Sequence, residues 1–257
     1  MRVLRVGDRG PDVRDWQLFL TGQGFAPGST DGIFGVSTAE ATVDFQQVHS
    51  LVPDGFVGNR TLGLAATLGF QIADDESDDV HSANWPPPPD FVLPSDPERE
   101  VMWGKMLYMA DPHPGNKERI RVTNDWAKSN IVVATVPQLK AFVSGGKIQF
   151  HRKGVPQLLA LWEAWSGAGL LDRVLSWEGS YAARFIRGST SKLSNHAYGA
   201  AFDINQPWNK LGVLPALVGK KGSVRELVQL ANEHGFFWGG HYKKRKDGMH
   251  FEIARLK

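Results

Sequence analysis

Apolar residues recur at helical spacing in the first third of the chain. Two runs have this spacing, and their apolar positions are Val13, Trp16 and Leu20 in the first and Ala41, Phe45 and Val48 in the second. Steps of three and four residues place side chains on one face of a helix. The pattern predicts a small three-helix module in residues 1–70.

A turn sequence occurs twice between these runs. Asp31-Gly32-Ile33-Phe34-Gly35, with Thr38 after it, returns 23 residues later as Asp54-Gly55-Phe56-Val57-Gly58, with Thr61 after it. Asp-Gly favours a tight turn, and threonine is common where a helix begins. The repeat predicts that two similar turns join the helices.

Strand and helix patterns are mixed over residues 91–257. Residues 130–136 are mostly apolar and end before Pro137, which predicts a buried strand, and residues 174–178 predict a second strand. Residues 155–167 and residues 224–234, closed by Gly235, predict helices. No regular alternation of strand and helix is present, so the pattern favours an α+β fold with a central antiparallel sheet. Residues 91–128 show no clear pattern.

A polar segment separates the two patterns. Residues 74–79 carry five acidic side chains, and four prolines follow at 86–89. Such a segment cannot bury a core, and consecutive prolines form a stiff extended spacer. We therefore predict a helical module in residues 1–70, a linker in residues 71–90 and a second domain in residues 91–257.

Composition and charge narrow the function classes. The chain has no cysteine, which excludes disulfides, thiolate catalysis and cysteine-bound zinc. Residues 91–257 carry 24 basic and 14 acidic side chains, a net charge of +10, whereas residues 1–70 carry 5 and 7, a net charge of −2. The basic half suggests an anionic partner, and nucleic acid, a membrane surface and a polyanionic cell wall all qualify.

Three side chains near the C-terminus could form a metal site. Asp203 and His250 each lie in strand-like sequence where polar and core residues alternate, so two neighbouring strands would bring them together. His196 precedes Asp203 by seven residues, and Gly199 between them allows the backbone to bend back. Two imidazoles and one carboxylate suit Zn²⁺ with an open position for water. A surface histidine or a hydrogen-bonded core histidine would account equally well for either histidine alone.

A metal-activated water also needs a group that accepts its proton. Asp247, three residues before His250, is the best placed carboxylate, and Glu252 is expected to support His250. Trp208 and Trp238 are candidates to line a groove. The basic run at residues 241–246 is read as the rim of a site that faces anionic polymer rather than as a nucleic-acid patch.

Residues 3–68 resemble a known binding module. The likeness rests on an ordered set of residues: Gly7-Asp8-Arg9-Gly10, Val13, Trp16-Gln17, Leu20, the two Asp-Gly turns, Thr38 and Phe45-Gln46. This set is similar to the peptidoglycan-binding module of many cell-wall hydrolases. The resemblance implies peptidoglycan as the partner.

Residues 177–251 resemble zinc peptidases of the cell wall. Ser194-x-His196-x2-Gly199-x-Ala201-x-Asp203, followed by Asp247-x2-His250, is similar to the signature of D-alanyl-D-alanine carboxypeptidases and L-alanyl-D-glutamate endolysins. The resemblance implies that His196, Asp203 and His250 bind zinc and that Asp247 is the general base. Aspartate at the base position is similar to the endolysin branch.

The same family has an arginine upstream of its first ligand, which stabilises the developing oxyanion. Arg184 and Arg187 both fit, and the offset of Arg184 from His196 resembles the family pattern more closely.

These features together predict a zinc-dependent peptidoglycan hydrolase that cleaves stem peptides, most simply as an L-alanyl-D-glutamate endopeptidase. A D-alanyl-D-alanine carboxypeptidase and a catalytically silent wall-binding protein are the alternatives. We expect a monomer without nucleic-acid partners or membrane insertion that acts at the bacterial cell wall. The N-terminus has no apolar run typical of a signal peptide, which suggests release as a phage lysin or a removed leader.

Overall fold

The structure of the protein is a computed structural model that describes residues 3–70 and 85–257. The chain forms two compact units. The first contains Met1–Pro87 and Ala216–Gln229, and the second contains Pro88–Pro215 and Leu230–Lys257. The predicted acidic run at residues 74–79 lies outside the described residues, and the predicted bounds of module, linker and second domain stay a prediction.

The first unit contains the three predicted helices, α1 (Pro11–Gly22), α2 (Val36–Val48) and α3 (Asn59–Thr67). The apolar faces of these helices close a core, which the large buried side chains fill: Leu4, Val13, Trp16, Leu20, Phe34, Phe45, Val57 and Leu62. Trp16 and Phe45 meet edge to face at 5.6 Å, an arrangement that aromatic rings favour. The helical prediction for this part of the chain is confirmed.

A buried glutamine organises the first repeated turn. The Gln17 side-chain oxygen accepts a hydrogen bond from the backbone N–H of Gly32 at 2.9 Å. The Gln17 amide nitrogen donates to the Ile33 carbonyl and to the Thr38 hydroxyl, both at 3.0 Å. One side chain on α1 thereby satisfies the polar groups of the turn and the start of α2.

The second copy of the turn has the same arrangement. The Gln46 side-chain oxygen accepts from the Gly55 N–H at 2.9 Å, and its nitrogen donates to the Phe56 carbonyl at 2.9 Å and the Thr61 hydroxyl at 3.0 Å. The sequence repeat therefore corresponds to a structural repeat, in which one buried glutamine side chain hydrogen-bonds to a turn and to the start of the helix after it. We call this arrangement the glutamine clasp.

A distant segment completes the first unit. Val218 lies in the same apolar core as the three helices, and the Asn59 amide donates to the Arg225 carbonyl at 2.7 Å. Gly63 on α3 faces Glu226, and a Cβ at Gly63 would lie 2.5 Å from the Glu226 Cγ. Residues 216–229 are therefore part of this unit although they lie far along the chain from it.

The second unit is α+β, as predicted. Its helices are α4 (Asp96–Trp103), α5 (Trp126–Asn130), α6 (Val155–Gly167) and α7 (Val228–Glu233), the last of which begins in the first unit. Its strands are β1 (Tyr108–Ala110), β2 (Ile120–Val122), β3 (Ile131–Thr135), β4 (Lys147–His151), β5 (Trp177–Gly179), β6 (Ala201–Ile204), β7 (Phe236–Trp238) and β8 (His250–Ile253). Strands β1 and β2 form one hairpin and β3 and β4 another, while β5, β6, β8 and β7 form an antiparallel sheet in that order.

An aromatic stack forms the core beside this sheet. Phe202 stacks on Phe251 at 5.5 Å and on Trp177 at 5.7 Å, and Trp165 of α6 meets both phenylalanines edge to face. Trp162 lies on the same buried face of α6. Burial of so many large rings makes this side of the sheet the apolar core of the unit.

Some local predictions need correction. The strand predicted as buried at residues 130–136 is only partly buried: Ala134 and Val136 lie in the core, but Val132 is 38% and Val133 64% exposed. The strand predicted at residues 174–178 begins only at Trp177, since Leu171–Arg173 form a 3-10 turn. The helix predicted at residues 224–234 is divided into a 3-10 turn and α7.

None of the helices in residues 3–70 and 85–257 is long and apolar enough to cross a membrane.

We predict that Gln46→Leu lowers the free energy of unfolding by about 3 kcal/mol, because the substitution leaves the Gly55 N–H and neighbouring buried groups without partners. Urea titration followed by circular dichroism measures the change. Gln47→Leu, the same change at the exposed neighbouring position, is the matched control and should change stability by less than about 0.5 kcal/mol. Equal losses in the two variants would contradict the clasp.

Candidate metal centre and active site

Two adjacent strands bring Asp203 and His250 together. Antiparallel pairing of β6 with β8 sets Asp203 directly opposite His250, and the Asp203 Oδ1 lies 2.9 Å from the His250 Nδ1. Phe202 and Phe251 point to the opposite, apolar face. This is the arrangement expected from strand alternation, in which polar side chains share one face of neighbouring strands.

His196 reaches the same point from a turn before β6. It lies in the 3-10 turn Asn195–Tyr198, which ends at Gly199 in the left-handed conformation (φ 63°). A Cβ at Gly199 would lie 3.0 Å from the His151 backbone nitrogen and 2.7 Å from the Ile131 Cδ1. Only glycine therefore allows the chain to turn here, and this turn directs the imidazole back towards Asp203.

Three potential ligand atoms converge. The His196 Nε2 is 3.1 Å from the Asp203 Oδ1 and 3.1 Å from the His250 Nδ1. All three side chains are largely buried, and their ligand atoms lie within 4.8 Å of one another. Atoms at these separations can all reach one ion at the usual Zn–N and Zn–O distances of about 2.0–2.2 Å. The donor set therefore fits a divalent metal.

The far nitrogen of each imidazole has its own partner. The His196 Nδ1 lies 2.5 Å from the Ser180 carbonyl oxygen, and the His250 Nε2 lies 3.4 Å from the Glu252 Oε2. An N–H that donates to these acceptors leaves the lone pair of the other nitrogen directed at the centre. The pairing orients both rings for metal binding.

Glu252 is itself held in place. The Tyr242 hydroxyl donates to the Glu252 Oε1 at 2.8 Å, and the Asn195 amide donates to the Glu252 Oε2. Glu252 thus supports His250, as expected from the sequence.

Three residues that orient the imidazoles were not predicted from the sequence: Ser180, Asn195 and Tyr242. Asn195 adjoins His196 in the motif, but the Ser180 acceptor is a backbone carbonyl that leaves no signal in the sequence.

Electrostatics favour an ionised Asp203. Burial alone would raise the pKa of this carboxyl, but the adjacent His196 and His250 outweigh burial and lower the pKa below its usual value. The pKa of His250 is raised for the complementary reason, since hydrogen bonds to Asp203 and Glu252 outweigh the effect of burial. Contacts at hydrogen-bond distance thus connect His196, Asp203, His250 and Glu252 in one group.

Asp247 lies beside this group with an available carboxylate oxygen. Its backbone is fixed, because the Asp247 N–H donates to the Gly239 carbonyl at 2.9 Å and the Asp247 carbonyl accepts from the His250 N–H at 3.1 Å. Its Oδ1 is buried and has no hydrogen-bond partner in the described part of the chain. Burial, more than any neighbour, raises the pKa of Asp247 to about 6.

The two candidate arginines differ in their partners. Arg187 pairs with Glu118 at 2.7 Å and also donates to the Asn116 side chain. Arg184 makes no ion pair among the described residues and donates only to the Phe185 carbonyl. Burial lowers the pKa of Arg184 somewhat, while Asp203 and Asp247 raise it, so its charge acts on the carboxylates of the site.

One cavity contains these groups. Its volume is about 1010 Å³, and its lining includes the three potential ligands, Asp247, Glu178 and both candidate arginines. Lys244 and Arg245, from the basic run predicted to form a rim, line it as well.

The prediction that Trp238 lines a groove is wrong. The Trp238 side chain is fully buried, and its indole nitrogen donates a hydrogen bond to the Gly248 carbonyl at 2.8 Å. Trp208 is half-buried.

Two family models match the chain. Residues 187–253 match the family described as D-alanyl-D-alanine carboxypeptidase, and residues 9–64 match a peptidoglycan binding domain. Both resemblances inferred from the sequence are confirmed. The first match contains every predicted site residue except Arg184, and the second contains both glutamine clasps.

Two solved structures are similar to parts of the chain. A Burkholderia AP3 phage endolysin is 37% identical over 28% of this chain and 27% of its own, with a TM-score of 0.26. A fused Zn-dependent amidase/peptidase/peptidoglycan-binding domain-containing protein from Clostridium acetobutylicum is 29% identical over 39% of this chain and 40% of its own, with a TM-score of 0.25. The alignments thus cover well under half of either solved chain.

We predict that Tyr242→Phe weakens binding of a divalent metal about tenfold, because Glu252 loses the donor that orients it towards His250. Competition with a chromophoric chelator gives the metal affinity. Tyr181→Phe is the matched control, since Tyr181 lines the same cavity and donates no hydrogen bond to the described residues. The role of Tyr242 would be refuted if both variants bound the metal as tightly as the unmodified protein.

Proposed function

We propose that the protein is a zinc-dependent peptidoglycan hydrolase that cleaves an amide bond in the stem peptide of the bacterial cell wall. The observation that carries the proposal is the convergence of the His196 Nε2, Asp203 Oδ1 and His250 Nδ1 in a cavity that also contains Asp247. The matches to a peptidase family and to a peptidoglycan binding domain support the substrate class.

His196, Asp203 and His250 would hold the zinc ion. Two neutral nitrogens and one carboxylate are a common ligand set of catalytic zinc, and Ser180 and Glu252 keep the rings oriented for it. When bound, zinc supplies Lewis-acid chemistry, which polarises the amide carbonyl and makes water more acidic.

Asp247 is the proposed general base. Its unpartnered carboxylate oxygen accepts the proton of the attacking water and then returns that proton to the leaving amide nitrogen. A pKa raised to about 6 suits this exchange, because the carboxylate is ionised at neutral pH yet holds a proton more readily than a surface aspartate. No covalent bond between protein and substrate is formed.

Arg184 is the proposed stabiliser of the oxyanion. A guanidinium without a carboxylate partner can donate to the carbonyl oxygen as negative charge develops there. Arg187 is already engaged with Glu118, so its charge is partly neutralised. This contrast supports the choice of Arg184 that the family offset suggested.

We propose endopeptidase cleavage of the L-alanyl-D-glutamate type as the reaction. A cavity of about 1010 Å³ leaves room for peptide on both sides of the cleaved bond. D-Alanyl-D-alanine carboxypeptidase activity is the second candidate, because the family matched by residues 187–253 carries that description.

Digestion of purified peptidoglycan with mass spectrometry of the released ends distinguishes the two reactions. We expect new N-terminal D-glutamate. Release of free D-alanine without such ends would replace the endopeptidase assignment by the carboxypeptidase, and the absence of any hydrolysis by the zinc-loaded protein would indicate a silent wall-binding protein.

We predict that Asp247→Asn retains zinc but lowers kcat on purified sacculi by about 10²–10⁴-fold, because the amide cannot accept the proton. Metal content by mass spectrometry and dye release from labelled sacculi are the two measurements. Glu178→Gln, an isosteric change at another carboxylate in the same cavity, should keep kcat within about threefold. Near-normal turnover by Asp247→Asn would exclude Asp247 as the base.

We predict that Arg184→Ala lowers kcat/KM by about 10²–10³-fold, whereas Arg187→Ala lowers it less than about tenfold. Rates on a soluble stem peptide give both values, and zinc content shows whether the site is intact. A larger loss in Arg187→Ala than in Arg184→Ala would reverse the two roles.

A further inference from the structure

A second cavity lies in the first unit, on the surface between α2 and the second repeated turn. Its volume is about 490 Å³. Phe56 is 48% exposed and Val36 is 66% exposed, so these apolar side chains face solvent and are not buried in the core of the unit. We call this cavity the α2 groove and define it by its lining residues: Val6, Val36, Ala39, Glu40, Val43, Asp44, Asp54, Gly55 and Phe56.

The two copies of the repeat differ at the α2 groove. Gln17 and Gln46 hold equivalent turns, so Arg14 in the first copy corresponds to Val43 in the second. Arg14 and Val43 also occupy equivalent positions in space, since each faces the glycine of its own turn. A Cβ at Gly32 would lie 3.7 Å from the Arg14 Cβ, and a Cβ at Gly55 would lie 3.4 Å from a Val43 methyl group. The second copy thus keeps the buried clasp of the first but has a small apolar side chain where the first has an arginine.

Carboxylates border the apolar floor of the groove. The Asp54 Oδ1 is fixed by hydrogen bonds from the Gln46 amide and the Phe56 N–H, both at 2.9 Å. Glu40 and Asp44 are exposed and take part in no ion pair within residues 3–70 and 85–257. An apolar floor with a negative border complements an alkyl chain that carries a cationic amine and has methyl groups beside it.

We propose that the α2 groove binds the peptidoglycan stem peptide through the free amino group of its diamino acid, with alanine methyl groups on the apolar floor. The proposal rests on the proposed function for the identity of the polymer. Binding then involves one face of the module, recognises the amino group and uses the second copy of the repeat. Stem peptides whose amino group is consumed by a cross-link would bind less tightly.

Sedimentation with purified sacculi tests the proposal. The full chain with Asp247→Asn serves as the background, so that the polymer stays intact during the measurement. We expect Phe56→Ala to raise Kd about tenfold and Asp44→Asn about threefold. The matched controls are the equivalent changes in the first copy, Ile33→Ala and Asp15→Asn, which should leave Kd within about twofold.

Chemical acetylation of the amino groups of the sacculi tests the occupant. We expect acetylation to weaken binding of the background protein by about the same factor as Asp44→Asn, and to produce no further loss in the Asp44→Asn variant. Circular dichroism of each variant shows that the module is folded.

Three results would overturn the proposal. Equal binding by the variants of both copies would place the site elsewhere on the module. Unchanged binding to acetylated sacculi would make the glycan, not the amine, the occupant. Failure of the protein to sediment with sacculi would refute the groove and the wall partner together, while hydrolysis of a soluble stem peptide by the unmodified chain would show that the peptidase proposal still holds.

Discussion

The pairing of β6 with β8 is the constraint on which the candidate site depends. It sets Asp203 opposite His250 on one face, and it stacks Phe202 on Phe251 on the other. Because successive residues of a strand face opposite sides, a slip of either strand by one residue would move its polar side chain into the core and its ring into the cavity. Burial of the aromatic stack therefore also specifies where Asp203 and His250, two of the proposed metal ligands, lie.

Orientation of the imidazoles depends on groups from several segments. The Ser180 carbonyl follows β5, Glu252 lies on β8, and Asn195 and Tyr242 approach Glu252 from two different loops. No local sequence could orient the rings by itself. The site is thus a property of the folded second unit, in which His250 and the Glu252 that supports it have hydrogen-bond partners from other segments.

Local periodicity explains what could be predicted. The helices of the first unit, the repeated turns and α6 follow from spacings within a short stretch of chain, and strand alternation explains the face that Asp203 and His250 share once β6 pairs with β8. The predictions that were wrong depended on distant neighbours. The exposure of Val132 and Val133 on β3, and the full burial of Trp238, depend on what the rest of the chain packs against them. A backbone acceptor such as Ser180 has no side-chain signature in any sequence.

Residues 216–229 limit how the first unit can be separated from the rest of the chain or transferred to another protein. The first unit includes this segment, and the buried Asn59 amide donates to a carbonyl within it. A cut after residue 70 would leave that amide without its acceptor and would open the core at Val218. The first unit therefore cannot be transferred to another protein by its N-terminal sequence alone. A transferable version would need the later segment as well, or a substitute for what it covers.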